Sequence, residues 1–332
     1  MRLVHDNESK PLRAVAIAHP NVALIKYWGK REVSANLPAV GSLSVTLGAL
    51  ATETRIEFDP SLEHDLLLLN GIEQPAGHGR LAACMNALRD LSGCDLYARV
   101  ESENDFPTGA GLASSASGYA ALVTAGAAAL GIDAHETRLI DIARIGSGSA
   151  PRSLFGGMVL LENDGDGTVC EQIITPEDWA LSVVVVITSE VPKPVTSRDG
   201  MEQSRLSSPY YAAWVDTHAD DLRQAVGYVQ DRDFFALAEL AEHNCLKMHS
   251  VMLTTRPPLL YWLPATLAVM HRIGELRAGG LPVFFTIDAG PQVKAVCQTE
   301  VADEVTGALG AVPGVLRTIV GELGYGARVV GG

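Results

Sequence analysis

The chain has few cysteines and no two at metal or redox spacing. Cys84, Cys94, Cys170, Cys245 and Cys297 are scattered and odd in number, which argues against a disulfide framework or a structural zinc site and suits a reducing cytoplasm. The nine histidines form no ligand pattern either; His243 and His249, the closest pair, read as structural. The longest apolar runs, such as "LSVVVVIT" over 181–188, are far shorter than the ~20 residues that span a bilayer. The opening "MRLVHDNESKPLR" lacks the apolar centre of a secretory signal. No internal period points to a repeat protein. There is no basic tail or stripe, and the net charge is −14, which argues against nucleic acid and against an anionic membrane surface. A small anionic substrate stays open, because a few placed cations can dominate a pocket on an acidic protein.

What is present fits a compact α/β or α+β protein. The 332 residues are 47% hydrophobic, enough for two ordinary domains. Alternating, β-branched segments predict strands over 13–19, 22–27, two within 42–60, 95–104, and in "SLFGGMVLLEN" and "WALSVVVVITS". Asn70-Gly71 predicts a hairpin turn within "DLLLLNGIEQP". Helical periodicity covers 78–92, about 114–130 and 135–147. "VPKPVTSRDGMEQSRLSSPYY" reads as a polar, proline-bearing linker or site loop. Helices at about 210–226, 231–251 and 262–279 follow, then over 282–297 a strand, a tight Asp-Ala-Gly-Pro turn and another strand or helix start, and finally a helix at 300–309 and a last strand near 315–320. A sheet-rich first half and a helix-rich second half predict two α+β domains, 1–188 and 189–332.

Four stretches could carry chemistry. "FPTGAGLASSASGYAAL" (106–122) is a glycine-rich turn entering a helix of small residues. Gly109 and Gly111 allow close backbone approach, and Ser114, Ser115 and Ser117 offer hydroxyls to phosphate or a metal ion; close helix packing alone would also explain them. The stretch lacks the Gly-Lys-Ser/Thr ending of the common P-loop. In "NVALIKYWGKR" (21–31), Lys26 sits at the end of an apolar strand, where an unpaired ammonium is costly. Either its stem reaches solvent or it faces an anion. "IGSGSAPRSLFGG" (145–157) offers three hydroxyls and the planar fork of Arg152, or is a polar loop. In "FFTIDAGP" (284–291), Asp288 ends a strand at a tight turn. It either bonds the turn's own amides or serves as a base or orienter of a hydroxyl.

Taken together these stretches are recognisable. "PTGAGLASSASGYAAL" resembles the second motif of the superfamily of galactokinase, homoserine kinase, mevalonate kinase and phosphomevalonate kinase (the GHMP kinases). With "NVALIKYWGKR", "SLSVTL", "GSGSAPRSLFGG", "SRDGM" and "DAGP", in that order from residue 21 to 291, the chain resembles the diphosphomevalonate decarboxylase family. "IKYWGKR" and the Ser-Gly-Ser-Ala-x-Arg-Ser loop are specific to that family; the glycine loop points only to the superfamily. The resemblance implies a two-domain GHMP-kinase-type α+β fold, with an N-terminal ribosomal-protein-S5-like α/β domain that binds ATP and a C-terminal ferredoxin-like domain. The active site is then the cleft between them. It implies ATP-dependent decarboxylation of mevalonate 5-diphosphate to isopentenyl diphosphate, with Mg²⁺, by a homodimer; the cytoplasmic setting rests on the cysteines.

By that resemblance Asp288 contacts the C3 hydroxyl, Lys26 sits near Asp288 and the transferring phosphoryl group, and Arg152 holds the carboxylate. Tyr27, Lys30 and Arg198 take the diphosphate, with Ser147, Gly148, Ser149, Met201 and Ala289 lining the same pocket. Pro107, Gly109, Ala110, Gly111, Leu112, Ala113, Ser114, Ser115 and Ser117 take ATP, with Ser115 the metal's protein ligand. In one place the loop departs from the family: Pro151 stands where cysteine is usual, fixing φ and removing an N–H just before Arg152. Two rivals share the fold, a decarboxylase of the 5-monophosphate and a 3-kinase that does not decarboxylate. A non-catalytic ligand sensor would be expected to lack Asp288, Lys26 or the loop serines, and none is missing.

Overall fold

The computed structural model describes residues 12–33, 35–75, 79–106 and 112–331. Two sheets occupy the first half. One has six strands in the order β16-β1-β6-β9-β7-β8: β1 (Arg13–Ala18), β6 (Thr52–Asp59), β7 (Leu66–Leu69), β8 (Ile72–Glu73), β9 (Tyr97–Asn104) and β16 (Arg328–Gly331). The other is β11-β10-β5-β2, from β2 (Asn21–Ile25), β5 (Ser42–Thr46), β10 (Met158–Asp164) and β11 (Gly167–Ile174). A small ribbon joins β3 (Lys30–Glu32) to β4 (Leu37–Pro38). The strict in-out alternation of β6, with Thr52, Thr54, Ile56 and Phe58 inward, is that of a sheet with one solvated face.

The inward face of the six-stranded sheet is covered by α2 (Ser114–Ala129), flanked by α1 (Gly79–Ser92), α3 (Arg138–Gly146) and the short α4 (Ala150–Ser153). Helix α2 is made of small residues because it lies close to β1 and β6. At Gly126 even a methyl group would come within 2.7 Å of Leu88.

The third sheet has the order β13-β14-β12-β15, built from β12 (Leu181–Ile187), β13 (Val283–Thr286), β14 (Val293–Gln298) and β15 (Arg317–Glu322). The unbroken apolar run of β12 follows from burial on both faces. Val184 and Val186 pack toward α8 (Pro264–Ala278) and α9 (Ala302–Gly310). Val183, Val185 and Ile187 join a core shared with β2, β5, α6 (Tyr211–Asp231) and α7 (Phe234–Leu253). That shared core ties the two halves together beneath the cleft.

Three segments differ from the sequence-based expectation. Residues 197–207 of the polar stretch form a helix, α5 (Ser197–Ser207), started by Thr196, whose hydroxyl accepts the Asp199 N–H at 3.2 Å. This is an N-cap that a run of polar residues conceals. A β10–β11 hairpin, rather than one returning strand, follows Gly157. The chain also ends in β16, which crosses back to pair with β1. The Asn70-Gly71 turn has both residues at positive φ, 49° and 75°, the geometry of a two-residue hairpin loop.

Candidate active site

Five segments converge on one cavity of about 720 Å³. The segment leaving β2 contributes Tyr27, Trp28 and Lys30. The α3–α4 connection contributes Ser147, Gly148, Ser149 and Arg152. Around the α5 N-terminus lie Lys193, Arg198 and Met201. The β13–β14 turn presents Asp288 and Ala289, and the α2 N-terminus presents Leu112 to Ser115. A second cavity of about 280 Å³ shares Arg80, Ser114 and Ser115 with the first, and runs on between Leu67, Leu69, Leu81 and Val100 to Gln74 and Asn104. Pro107, Gly109, Ala110 and Gly111 lie outside the described residues. Ser117 is buried beneath the helix, sharing a 2.6 Å hydrogen bond with the Thr52 hydroxyl, and reaches neither cavity.

Lys26 does not snorkel. It is fully buried, and its Nζ donates to the Ala23 carbonyl at 2.7 Å and to Asp288 Oδ1 at 3.0 Å. Asp288 opens a third of its side chain toward the cavity. Burial pushes its carboxyl up, but the Lys26 and Lys294 ammoniums and the Lys26 hydrogen bond outweigh that, so it is held below the ordinary carboxylate range. An ionised carboxylate between cations is a good acceptor for a hydroxyl proton but a weak base before charge develops.

Arg152 is also buried, and its fork is preset. Nε and Nη2 both donate to Asn21 Oδ1 at 3.1 Å, and Nη1 donates to the Ser42 hydroxyl. Asn21 is aimed in turn by donating to Ser153 Oγ at 2.7 Å and to the Ser149 carbonyl at 3.0 Å. Pro151 sits in the first turn of α4, where its missing N–H has no acceptor within the helix anyway. The proline therefore leaves the presentation of Arg152 intact.

At the other end of the cavity, Lys30 Nζ is buried and has no hydrogen-bond partner among the described residues. Burial, then the nearby Arg198 and Arg80, push its pKa down to about 8. Burial raises the Tyr27 phenol to about 12, against the pull of Arg152 and Arg198. Gly148 is required here, since a Cβ would lie 2.5 Å from the Tyr27 hydroxyl. An orphaned cation beside two guanidiniums is an arrangement suited to an anion.

Several cavity residues were not legible from the sequence motifs. Lys193 donates to Ser197 Oγ at 3.0 Å and lies 5.9 Å from the Tyr261 ring centre; burial pushes its pKa down, with Asp288 pulling the other way. Its only signal was a lysine between two prolines. Asn21 is the single polar residue of the buried strand β2, a signal that demands a partner but does not name it; Ser42, behind the cavity wall, is one of three hydroxyl residues in the buried strand β5.

Ser115 shares a 3.2 Å hydrogen bond with Ser147 and stands where the two cavities meet. No cluster of three or more carboxylate, histidine or cysteine ligands occurs among the described residues.

Comparison with known proteins gives the same architecture. Residues 18–171 match the model of the diphosphomevalonate decarboxylase-like N-terminal domain, and 183–315 that of the mevalonate 5-diphosphate decarboxylase C-terminal domain. The diphosphomevalonate decarboxylase of Ganoderma lucidum is 37% identical over 307 residues, covering 84% of this chain and 76% of that protein. The phosphomevalonate decarboxylase of Haloferax volcanii is 35% identical over 301 residues, covering 89% and 91%. A solved structure, MDDEF in complex with MVAPP, AMPPCP and magnesium, superposes with a TM-score of 0.87 at 37% identity, covering 97% of this chain and all of that one. The two-domain GHMP-kinase-type fold is thus shown in three dimensions as well as in sequence. The chain belongs to the diphosphomevalonate decarboxylase family.

Proposed function

We propose that the protein is an ATP-dependent decarboxylase that converts mevalonate 5-diphosphate to isopentenyl diphosphate, ADP, phosphate and carbon dioxide. The observation that carries this reading is the cavity itself. It faces the Lys26–Asp288 pair and the preset fork of Arg152 at one end, and the orphaned Lys30 with Arg198 and Arg80 at the other.

The residues divide the work. Asp288 accepts a hydrogen bond from the C3 hydroxyl and points its oxygen at the γ-phosphorus; the proton passes to the carboxylate as the new O–P bond forms and ADP departs. Lys26 keeps Asp288 ionised until then and offsets charge on the transferring group. Lys193, which lines the cavity within electrostatic reach of Asp288, adds a second cation there. When the C3–O bond breaks and phosphate leaves, C3 becomes electron-poor. The C1–C2 electron pair then forms the C2–C3 double bond, and the carboxylate leaves as carbon dioxide. Arg152 holds that carboxylate in two-pronged fashion, fixing which bond lies beside the vacated orbital.

ATP fits across the two cavities. Ser114 and Ser115 lie at their junction, and the smaller cavity offers apolar side chains with the amides of Gln74 and Asn104 beside them, a lining that suits a purine base. Mg²⁺ prefers oxygen ligands and phosphate, so the Ser115 hydroxyl is the side chain proposed to hold it. When bound, the ion neutralises phosphate charge. The MDDEF complex holding MVAPP, AMPPCP and magnesium together supports this pairing of substrate, nucleotide and metal.

A relative that acts on the monophosphate is nearly as similar as the diphosphate enzymes, so the choice of substrate rests on charge. Lys30, Arg198 and Arg80 together match the roughly three negative charges of a terminal diphosphate better than the roughly two of a monophosphate. The division 1–188 and 189–332 belongs to the same reading, as do a homodimeric assembly and a cytoplasmic setting. Among the described residues no helix is long and apolar enough to cross a membrane, and the five cysteines are unpaired.

The test is turnover of ATP with each substrate, following phosphate and carbon dioxide. Stoichiometric release of both with the diphosphate, and little with the monophosphate, is expected. ADP without carbon dioxide would replace the decarboxylase with a 3-kinase, and preference for the monophosphate would reverse the substrate assignment.

A further inference from the structure

Lys26 and Asp288 come from opposite halves of the chain, and their meeting depends on a third element. Where β2 stops pairing with β5 at Ile25, the next backbone N–H, that of Lys26, points into the core. It donates at 2.8 Å to Oδ1 of Asn244 in α7, a residue with no exposed surface. The other end of the same amide donates at 2.7 Å from Nδ2 to Asp221 Oδ2 in α6. Lys247 Nζ donates to that same carboxylate oxygen at 2.8 Å. The orientation of Asn244 is therefore dictated from both sides, since a backbone N–H can only donate and an ionised carboxylate can only accept.

One residue further along α7, Cys245 Sγ accepts the Ile287 N–H at 3.3 Å and donates to the Ile287 carbonyl at 3.4 Å. The ring of His249, one turn on, meets that carbonyl at 3.4 Å. Three residues of α7, Asn244, Cys245 and His249, thus grip the main chain at Lys26 and at the residue before Asp288.

We propose that Asn244 is a positioning residue for the phosphoryl-transfer step: it holds the Lys26 main chain so that the ammonium stays on Asp288, and the Asp221–Lys247 pair locks its amide in the required sense. The step itself rests on the functional reading above; the positioning does not.

Two measurements separate the cases. Asn244→Ala is expected to lower kcat about ten- to a hundredfold while leaving the KM for ATP and for the diphosphate within about threefold. The titration of the Asp288 carboxyl, followed by carbon-13 NMR and assigned by its loss in Asp288→Asn, is expected to move up by about one pH unit. This second readout needs no turnover. The groups facing Asp288 are Lys26, Lys294, Arg152 and Lys193, with Cys245 and His249 on α7, and none of these is altered by the substitution.

The reciprocal pair Asn244→Asp with Asp221→Asn, made together with Lys247→Gln so that no ammonium faces the new amide NH2, keeps both hydrogen bonds of residue 244 and serves if Asn244→Ala folds poorly. It is expected to recover about tenfold in kcat over Asn244→Ala. An Asp288 titration that does not move, or a reciprocal pair as slow as Asn244→Ala, overturns the positioning role. Failure of the unaltered protein to decarboxylate the diphosphate overturns the functional reading alone.

Discussion

Lys26 Nζ lies 3.0 Å from Asp288 Oδ1 across 262 residues of sequence. The ammonium is wholly buried while the carboxylate opens toward the cavity. The pair is therefore asymmetric: Lys26 is held by protein, and Asp288 is left one face for substrate. Lys26→Met should reduce kcat by about a hundredfold or more, as removal of a preorganised transition-state donor does. With its main counter-charge gone, burial raises the Asp288 carboxyl, so the acid limb of the kcat profile should shift to higher pH. An unchanged limb would separate Lys26 from Asp288 functionally.

The same carboxyl has a stability signature. Its folded-state pKa lies below the ordinary value, so its ionised form stabilises the fold above about pH 4. That contribution is lost as pH falls through the lower, folded value. The melting-temperature difference between the unaltered protein and Asp288→Asn should be constant near neutrality and shrink only below about pH 4. A difference growing toward acid would contradict the sign.

Arg152 should not tolerate lysine. Asn21 and Ser42 together receive three N–H groups of the guanidinium, and an ammonium cannot place donors in that plane. Arg152→Lys is expected to lose about ten- to a hundredfold in kcat/KM, from charge-assisted hydrogen bonds worth about 1.5–3 kcal/mol each. The loss should be shared by any substrate that carries the carboxylate. Steady-state kinetics at saturating ATP measure it.

Gly148→Ala should act through Tyr27. The added methyl would sit 2.5 Å from the phenol oxygen, forcing the ring aside. KM for the diphosphate should rise about tenfold while KM for ATP stays unchanged, as expected for the loss of ordinary binding contacts. Phenylalanine at position 27 relieves part of the clash, so the double variant should suffer less than additively.

Lys30 should make binding pH-dependent. Its pKa, about 8 in the free protein, lies below the ordinary lysine value, so above pH 8 the cavity progressively loses a cation. A bound diphosphate restores the proton. Affinity should therefore weaken as pH rises through 8, with proton uptake on binding, measurable by titration calorimetry in buffers of different ionisation enthalpy. Lys30→Met should bind more weakly and lose this limb.

Much of the site was legible because its chemistry is concentrated in short runs. "NVALIKYWGKR" already placed a lysine where an apolar strand ends, and "FFTIDAGP" placed a carboxylate where another does. Burial of charge is expensive enough that such residues advertise a partner, even unnamed. The α5 helix was less visible, because its outward face is polar and its Thr196 cap looks like loop composition. β16 was invisible for another reason: its partner β1 lies at the far end of the chain, and strand pairing at that separation leaves no local trace.

The order of residue types along the chain was enough to specify strands, turns, the cations and the carboxylate, since those follow from local backbone preference and the cost of burying charge. Local preference does not say which carboxylate meets which ammonium; the family resemblance alone put Lys26 beside Asp288, and the physical cause of the meeting is tertiary. It came from α7 gripping both halves, from the shared core beneath β12, and from Asn21 turning the fork of Arg152. The hydrogen bonds among those contacts join residues from 38 to 218 apart in the chain, and they exist only once the apolar faces have packed and excluded water from the groups between them.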